Sequence, residues 1–253
     1  MKKTHFKPNL ILLVLLTFVG FSITVNAQSK PFTVEKFDKV IISPHIQVTF
    51  KEGEKESIYI EDDEKHPGIL NIKVKNKTLH LYLDGAKITS PTKIIKKNGY
   101  KQKVPIYKGT IVKAVVTYKK VTNFSLRGKQ RFEFESPIEQ EKLRLKIYGE
   151  SQVYFNNITL NNFRVTIYGE SYLELKNGKI NGQKFTAYGG SKINTLAVEN
   201  NSTKLTAYGD GSFRFNVEDR LKVTSYGDAR VTYKGNAKLV RGIVIGNTEI
   251  VKM

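Results

Sequence analysis

No cysteine occurs anywhere in the 253 residues. That absence excludes disulfides, thiolate metal sites, a cysteine nucleophile and a lipid-modified cysteine at a leader cleavage site. Histidine is scarce as well, with four in all. His5 belongs to the leader segment described below, and no two of His45, His66 and His80 stand at close metal-ligand spacing. After the first thirty residues no apolar run approaches the ~20 residues that a membrane-spanning helix needs. No glycine-rich loop precedes a helical pattern, so a phosphate-binding loop is not expected. Stability has to come from packing and backbone pairing, and no cofactor or metal is expected.

Acid is the other shortage. Lysine and arginine number 42 against 23 aspartates and glutamates, a formal charge of +19. Lys2, Lys3 and Lys7 precede an apolar stretch from Leu10 to about Val19, and the small-residue site Val25-Asn26-Ala27 follows just before Gln28. This is the pattern of a secretory signal peptide over residues 1–27. Those residues hold three lysines and no acid, so 19 − 3 leaves +16 on residues 28–253. The mature chain is therefore expected to be exported, to the periplasm, the outer membrane or the cell exterior. Its charge favours a polyanionic partner, an acidic glycan or another envelope component. Nucleic acid is not expected, because export separates the chain from it and no recognition helix or zinc finger is legible. A basic surface also serves simply to keep an extended β-protein soluble.

What the sequence has in abundance is a repeat. Tyr-Gly recurs at Tyr148-Gly149, Tyr168-Gly169, Tyr188-Gly189, Tyr208-Gly209 and Tyr226-Gly227, at spacings of 20, 20, 20 and 18 residues. Degenerate copies stand at Arg127-Gly128 and Ile245-Gly246. Before each glycine the residues alternate with period two, as in a half-buried strand. Leu143, Leu145 and Ile147 share one face, with Arg144, Lys146 and Tyr148 on the other. A second apolar pair follows the glycine, such as Val153 and Phe155, and a third closes the unit, such as Ile158 and Leu160 or Leu196 and Val198. A unit of about 20 residues with three short strands cannot bury its apolar face alone. The expected fold is all-β, a right-handed parallel β-solenoid over residues 111–253 with the glycines in one corner column. Residues 28–110 are expected to add N-terminal strands, forming a cap or the first coils of the same domain. They also include a lysine-rich hairpin turning at Asn98-Gly99, which reads either as an edge ribbon kept soluble by lysine or as an anion-binding finger.

Several segments in order resemble one known family. They are Phe37-Asp38-Lys39-Val40-Ile41-Ile42, Val48-Thr49-Phe50-Lys51-Glu52-Gly53, Asn76-Lys77-Thr78-Leu79-His80-Leu81, and Val116-Thr117-Tyr118-Lys119-Lys120-Val121 running into Leu126-Arg127-Gly128. Together the chain resembles the head GIN domain family of auto-transporter adhesins over nearly the whole of residues 28–253. The resemblance implies a secreted or envelope β-solenoid with an adhesive role and no catalytic residues. The chain differs from the family pattern in its Tyr-Gly-Glu and Tyr-Gly-Asp corners, where a serine-glycine corner is more frequent.

The outward phase of the first strand supplies the candidate binding residues. Arg144, Arg164, Lys184, Lys204 and Lys222 form one column; Lys146, Thr166, Thr186, Thr206 and Thr224 a second; Tyr148, Tyr168, Tyr188, Tyr208 and Tyr226 a third. Aromatic rings beside basic and hydroxyl groups suit sugar stacking combined with pairing to carboxylates or sulfates. Like-on-like ladders also stabilise a parallel sheet whatever they face, so a rigid spacer or protein-partner scaffold is the competing reading. A third reading is a polysaccharide lyase or hydrolase. For that, Glu150, Glu170, Asp210 and Asp228 beside the glycines would have to flank a cleft, and they fall instead on a corner without evident walls. The chain is read as non-enzymatic.

Overall fold

The structure is a computed structural model that describes residues 31–62 and 68–253. The expected signal peptide and His66 lie outside those residues. Among the described residues every regular element is a strand, arranged in an eleven-stranded sheet, a ten-stranded sheet and a separate two-stranded ribbon. Residues 31–253 form one compact unit.

The repeat spacing translates directly into register. Ile138–Gly149 pairs in parallel with Ile158–Gly169, which pairs with Gly178–Tyr188, then Val198–Tyr208, then Arg220–Tyr226. Each Tyr-Gly pair lies beside the next. The short strands after the glycines, from Arg131–Phe134 through Gln152–Phe155 to Glu249–Lys252, stack in the second large sheet. This is a parallel β-solenoid, as the periodicity requires. The third face has no sheet of its own. In Ile138–Gly149 the buried positions are Ile138, then Leu143, Leu145 and Ile147, so the alternation changes phase midway. The strand bends there, and one continuous strand serves two faces.

The interior is apolar and close-packed. Phe50, Phe134 and Phe155 stack down the axis with ring centroids 4.6 and 3.9 Å apart, each ring fully buried. Burial of such a ring contributes about 2–3 kcal/mol. Corner geometry fixes the glycines. Gly149, Gly169, Gly189, Gly209 and Gly227 all have φ between 97° and 137°. At Gly169 an added Cβ would drive into the carbonyl of Gly149 on the preceding rung. Two residues on, the buried Ser151 and Ser171 donate their hydroxyls to the carbonyls of Gly128 and Gly149, each at 3.0 Å.

One expected wall residue is corrected. Leu196 is not a wall residue: it lies half-buried in a turn, and the register partner of Leu160 and Ile180 is Asn200. Asn200 is 2% exposed, and its amide donates to the Ile180 carbonyl at 2.9 Å. It belongs to a buried polar cluster in which Gln183 donates to Thr203 at 2.9 Å and Thr203 donates to Asn200 at 2.6 Å. An apolar-periodicity rule passes over such residues because hydrogen bonds among themselves, and not apolar character, accompany their burial, with the Gln183 Oε1 left without a partner.

The N-terminal rungs also depart from chain order. Lys39–Ile42 and Ile46–Glu52 form a coil that sits between two later segments. Thr78–Leu83 and Val112–Tyr118 stack on one side of it, while Asn123–Gly128 and Arg131–Phe134 stack on the other. Between Val112–Tyr118 and Asn123–Gly128 the chain steps across the coil made first. Leu70–Lys75 and Ser57–Asp62 pair antiparallel at this end and close it.

Beyond Thr78–Leu83 the ribbon Thr92–Lys97 and Tyr100–Pro105 turns through Asn98 and Gly99, at φ 52° and 80°. Two successive positive φ values define the mirror-type turn that Asn-Gly favours.

Candidate functional site: a basic and aromatic face

The face carrying the candidate residues is built by the first strand of each coil, and alternation along that strand decides what it shows. With Leu143, Leu145 and Ile147 held inward, Arg144, Lys146 and Tyr148 must point out. Parallel, in-register stacking then brings equivalent residues of successive coils to about 4.8 Å. All fifteen residues of the three candidate columns are brought together in this way. Arg144, Arg164, Lys184, Lys204 and Lys222 are direct ladder neighbours. The five tyrosines likewise form one ladder. Their rings lie 5.0, 4.8, 4.8 and 5.0 Å apart at interplanar angles of 3° to 6°. Tyr168, Tyr188 and Tyr208 are 37–40% exposed, so the glycine corner does not turn them inward.

The ladder also gathers one residue from a degenerate copy of the repeat and one from outside the repeat. Arg127 is the register neighbour of Tyr148, and its guanidinium lies 4.2 Å from that ring's centroid, capping the stack with a cation–π contact. Lys39 lies on the same face, one rung beyond Asn123. Here the sheet opens into a cleft of about 360 Å³ whose lining includes Lys39, Arg127, Arg144, Lys146 and Tyr148, and no carboxylate. A smaller cleft of about 190 Å³ opens beside Arg164 and Lys184, where Gly182 and Ser202 leave room at the strand bend. Arg127 carries a signal in the degenerate Arg-Gly copy of the repeat, whereas Lys39 carries only the alternation of its own strand, one residue before the buried Val40.

Electrostatically the face is one-sided. Among the described residues none of its cations makes an ion pair; the pairs that exist lie elsewhere, for example Lys51–Glu135 at 2.9 Å and Arg230–Glu249 at 2.8 Å. The field is felt by His80, whose imidazole sits below its ordinary pKa because burial disfavours the charged ring and because Lys87 and Arg127 lie near. The corner carboxylates have other work. Glu150 pairs with Lys129 at 2.6 Å, and Asp228 accepts the Asn247 amide at 2.9 Å. No cluster of three metal-ligating histidines or acids occurs among the described residues.

Comparison with known proteins decides the lineage. A family model described as "Putative auto-transporter adhesin, head GIN domain" matches residues 36–237. The chain belongs to the head GIN domain family. Its fold recurs in solved structures of low identity. One is described as a putative adhesin from Bacteroides fragilis, 16% identical with a TM-score of 0.73 over 88% of this chain and 95% of that one. Another, described as a putative lipid binding protein from Parabacteroides distasonis, is 15% identical with a TM-score of 0.66 over the same shares. A putative adhesin from Parabacteroides merdae is 17% identical with a TM-score of 0.61, again over 88% and 95%. The comparison with curated proteins returns no match. At these identities the neighbours establish the fold of this head GIN domain and not its ligand.

Proposed function

We propose that this head GIN domain is an exported, non-enzymatic adhesin that holds an anionic surface polysaccharide against its basic and aromatic face. The observation that carries the reading is the column Arg144, Arg164, Lys184, Lys204 and Lys222, in register and without a carboxylate partner among the described residues, beside the stacked tyrosines. Adjacent like charges at rung spacing repel by about 1 kcal/mol even in water. An extended polymer bearing carboxylates or sulfates along its length would relieve that repulsion while its sugar rings pack on Tyr148, Tyr168, Tyr188, Tyr208 and Tyr226. The wider cleft at Lys39, Arg127 and Lys146 would receive a bulkier or doubly charged unit. Family membership and the adhesin descriptions of two neighbours support the adhesive role. The engagement of Glu150, Asp210 and Asp228 at the corner speaks against glycosidic catalysis, which needs a free pair across a cleft.

The test is retention of the protein on a panel of acidic and neutral polysaccharides at low and moderate salt. Salt-sensitive retention on a subset of the acidic ones, abolished by joint replacement of Arg164, Tyr168, Lys184 and Tyr188 with alanine, is the expected result. Retention by none at either salt would sink the reading and leave a spacer or protein-partner scaffold.

A further inference from the structure

We propose that the ribbon Thr92–Pro105 is a docking finger for the surface of an anionic lipid bilayer. This inference uses none of the polysaccharide face and does not depend on it. An isolated two-stranded hairpin is at best marginally stable in water, and here both faces are in solvent, with only Ile95 and Val104 half-buried. Yet its stem is firmly fixed. The His45 ring bridges its two feet, with Nδ1 2.8 Å from the Gly109 carbonyl and Nε2 2.8 Å from the Ser90 hydroxyl. Gln130 donates to the same Gly109 carbonyl at 3.2 Å and accepts the His45 amide at 2.9 Å. A ribbon anchored at its base and bare along its length is suited to reaching something outside the solenoid.

Its chemistry names the partner. Lys93, Lys96, Lys97, Lys101 and Lys103 stand on the ribbon, no aspartate or glutamate occurs from Gly85 through Phe132, and none of these lysines makes an ion pair among the described residues. Among the lysines Ile94 is 63% and Tyr100 76% exposed, and at the base Ile88 is 65% and Ile106 48% exposed. Bare isoleucines gain little from a hydrated polysaccharide. At a bilayer interface they leave water, tyrosine sits at headgroup depth, and lysine stems extend to the phosphates.

The test is co-sedimentation with vesicles of equal parts phosphatidylcholine and phosphatidylglycerol, against vesicles of phosphatidylcholine alone. Binding is expected to the anionic vesicles only. Lys96→Gln with Lys101→Gln should lower partitioning roughly 30-fold while leaving acidic-polysaccharide retention unchanged. Ile94→Ser should lower it a further several-fold at moderate salt. Because the chain contains no tryptophan, Tyr100→Trp gives a single tryptophan that can be excited apart from the tyrosines, its emission expected to shift to the blue on anionic vesicles and not with a soluble acidic polysaccharide. No sedimentation on anionic vesicles, equal sedimentation of the lysine variant, or an unmoved tryptophan would each overturn the proposal. Loss of polysaccharide retention in the lysine variant without vesicle binding would assign the ribbon to the glycan instead.

Discussion

On the sheet containing Arg131–Phe134 and Gln152–Phe155, cations meet carboxylates: Glu133 takes Arg131 at 3.1 Å and Lys176 at 3.3 Å, and Arg230 meets Glu249. On the sheet one corner away, Arg144, Arg164, Lys184, Lys204 and Lys222 stand in line, and among the described residues none of them makes an ion pair. Both sheets are built from one repeat on one core, so the contrast is not a demand of the fold. The mixed face shows that this backbone accommodates acids beside bases wherever they fall. On the other sheet the segments that precede the corner glycines, residues 142–149 and their register partners, hold no acid, while Glu139, Glu141 and Glu199 stand further back on the same strands and Glu199 meets Lys179. That local absence is what supports the proposed binding surface.

The largest expected effect tests what the two faces share. Gly169→Ala places a side chain at φ 101° against the Gly149 carbonyl. The strained backbone alone costs about 1–3 kcal/mol, and the close approach adds to it. Denaturant unfolding should show a loss of about 3 kcal/mol or more, with both faces disturbed together. A loss under about 1 kcal/mol would mean that the corner does not hold the rungs in place.

Next in size is the tyrosine ladder. Tyr188 stacks on Tyr168 and Tyr208, both at 4.8 Å. Two such contacts are worth about 1–3 kcal/mol together. If Tyr188→Ser costs that much stability and leaves polysaccharide retention intact, the aromatic column is a structural ladder. If it costs little and retention falls, the column belongs to the site, and the difference between the faces extends beyond charge.

How much of this was legible follows from what each feature depends on. The Tyr-Gly period specified register because a parallel coil places equivalent residues side by side, so the cation and tyrosine columns could be written down from spacing alone. Alternation put Arg144 and Tyr148 outward for the same reason. The Asn98-Gly99 turn was legible because its φ values are a property of the dipeptide. The buried Gln183, Thr203 and Asn200 were not, since their burial rests on mutual hydrogen bonds that no periodicity encodes. The crossing of Lys39–Glu52 by later rungs was hidden too. Pairing between segments separated by some 40 or 80 residues leaves no local trace, and the same gap concealed Lys39 as lining of the cleft.

Charge itself gives the next contrast. Lys184→Gln with Lys204→Gln removes neighbouring like charges from the unpaired row. Stability should rise by about 1 kcal/mol at low salt and by nearly nothing at high salt, where screening already shields the repulsion, while retention of acidic glycan falls. A drop in stability would show that these lysines have partners in the folded protein, and the comparison between the faces would fail.

The smallest effect comes from the paired face, and its sign is opposite. Burial alone would raise the Glu133 carboxyl, but hydrogen bonds and charge from Arg131 and then Lys176 bring it below its ordinary 4.5. A carboxylate whose folded pKa is depressed stabilises the fold above its unfolded pKa and loses that contribution as pH falls through the folded value. Exposed pairs of this kind are worth a few tenths to about 1 kcal/mol. Glu133→Gln should therefore lower stability by that amount near neutral pH, less so in high salt, and the difference from the parent should vanish once the pH is well below 4.5. Thermal unfolding across that range measures it. Raised stability in Glu133→Gln would mean that the mixed face also carries uncompensated charge, and the absence of acid from the tyrosine face would then lose its meaning as a mark of function.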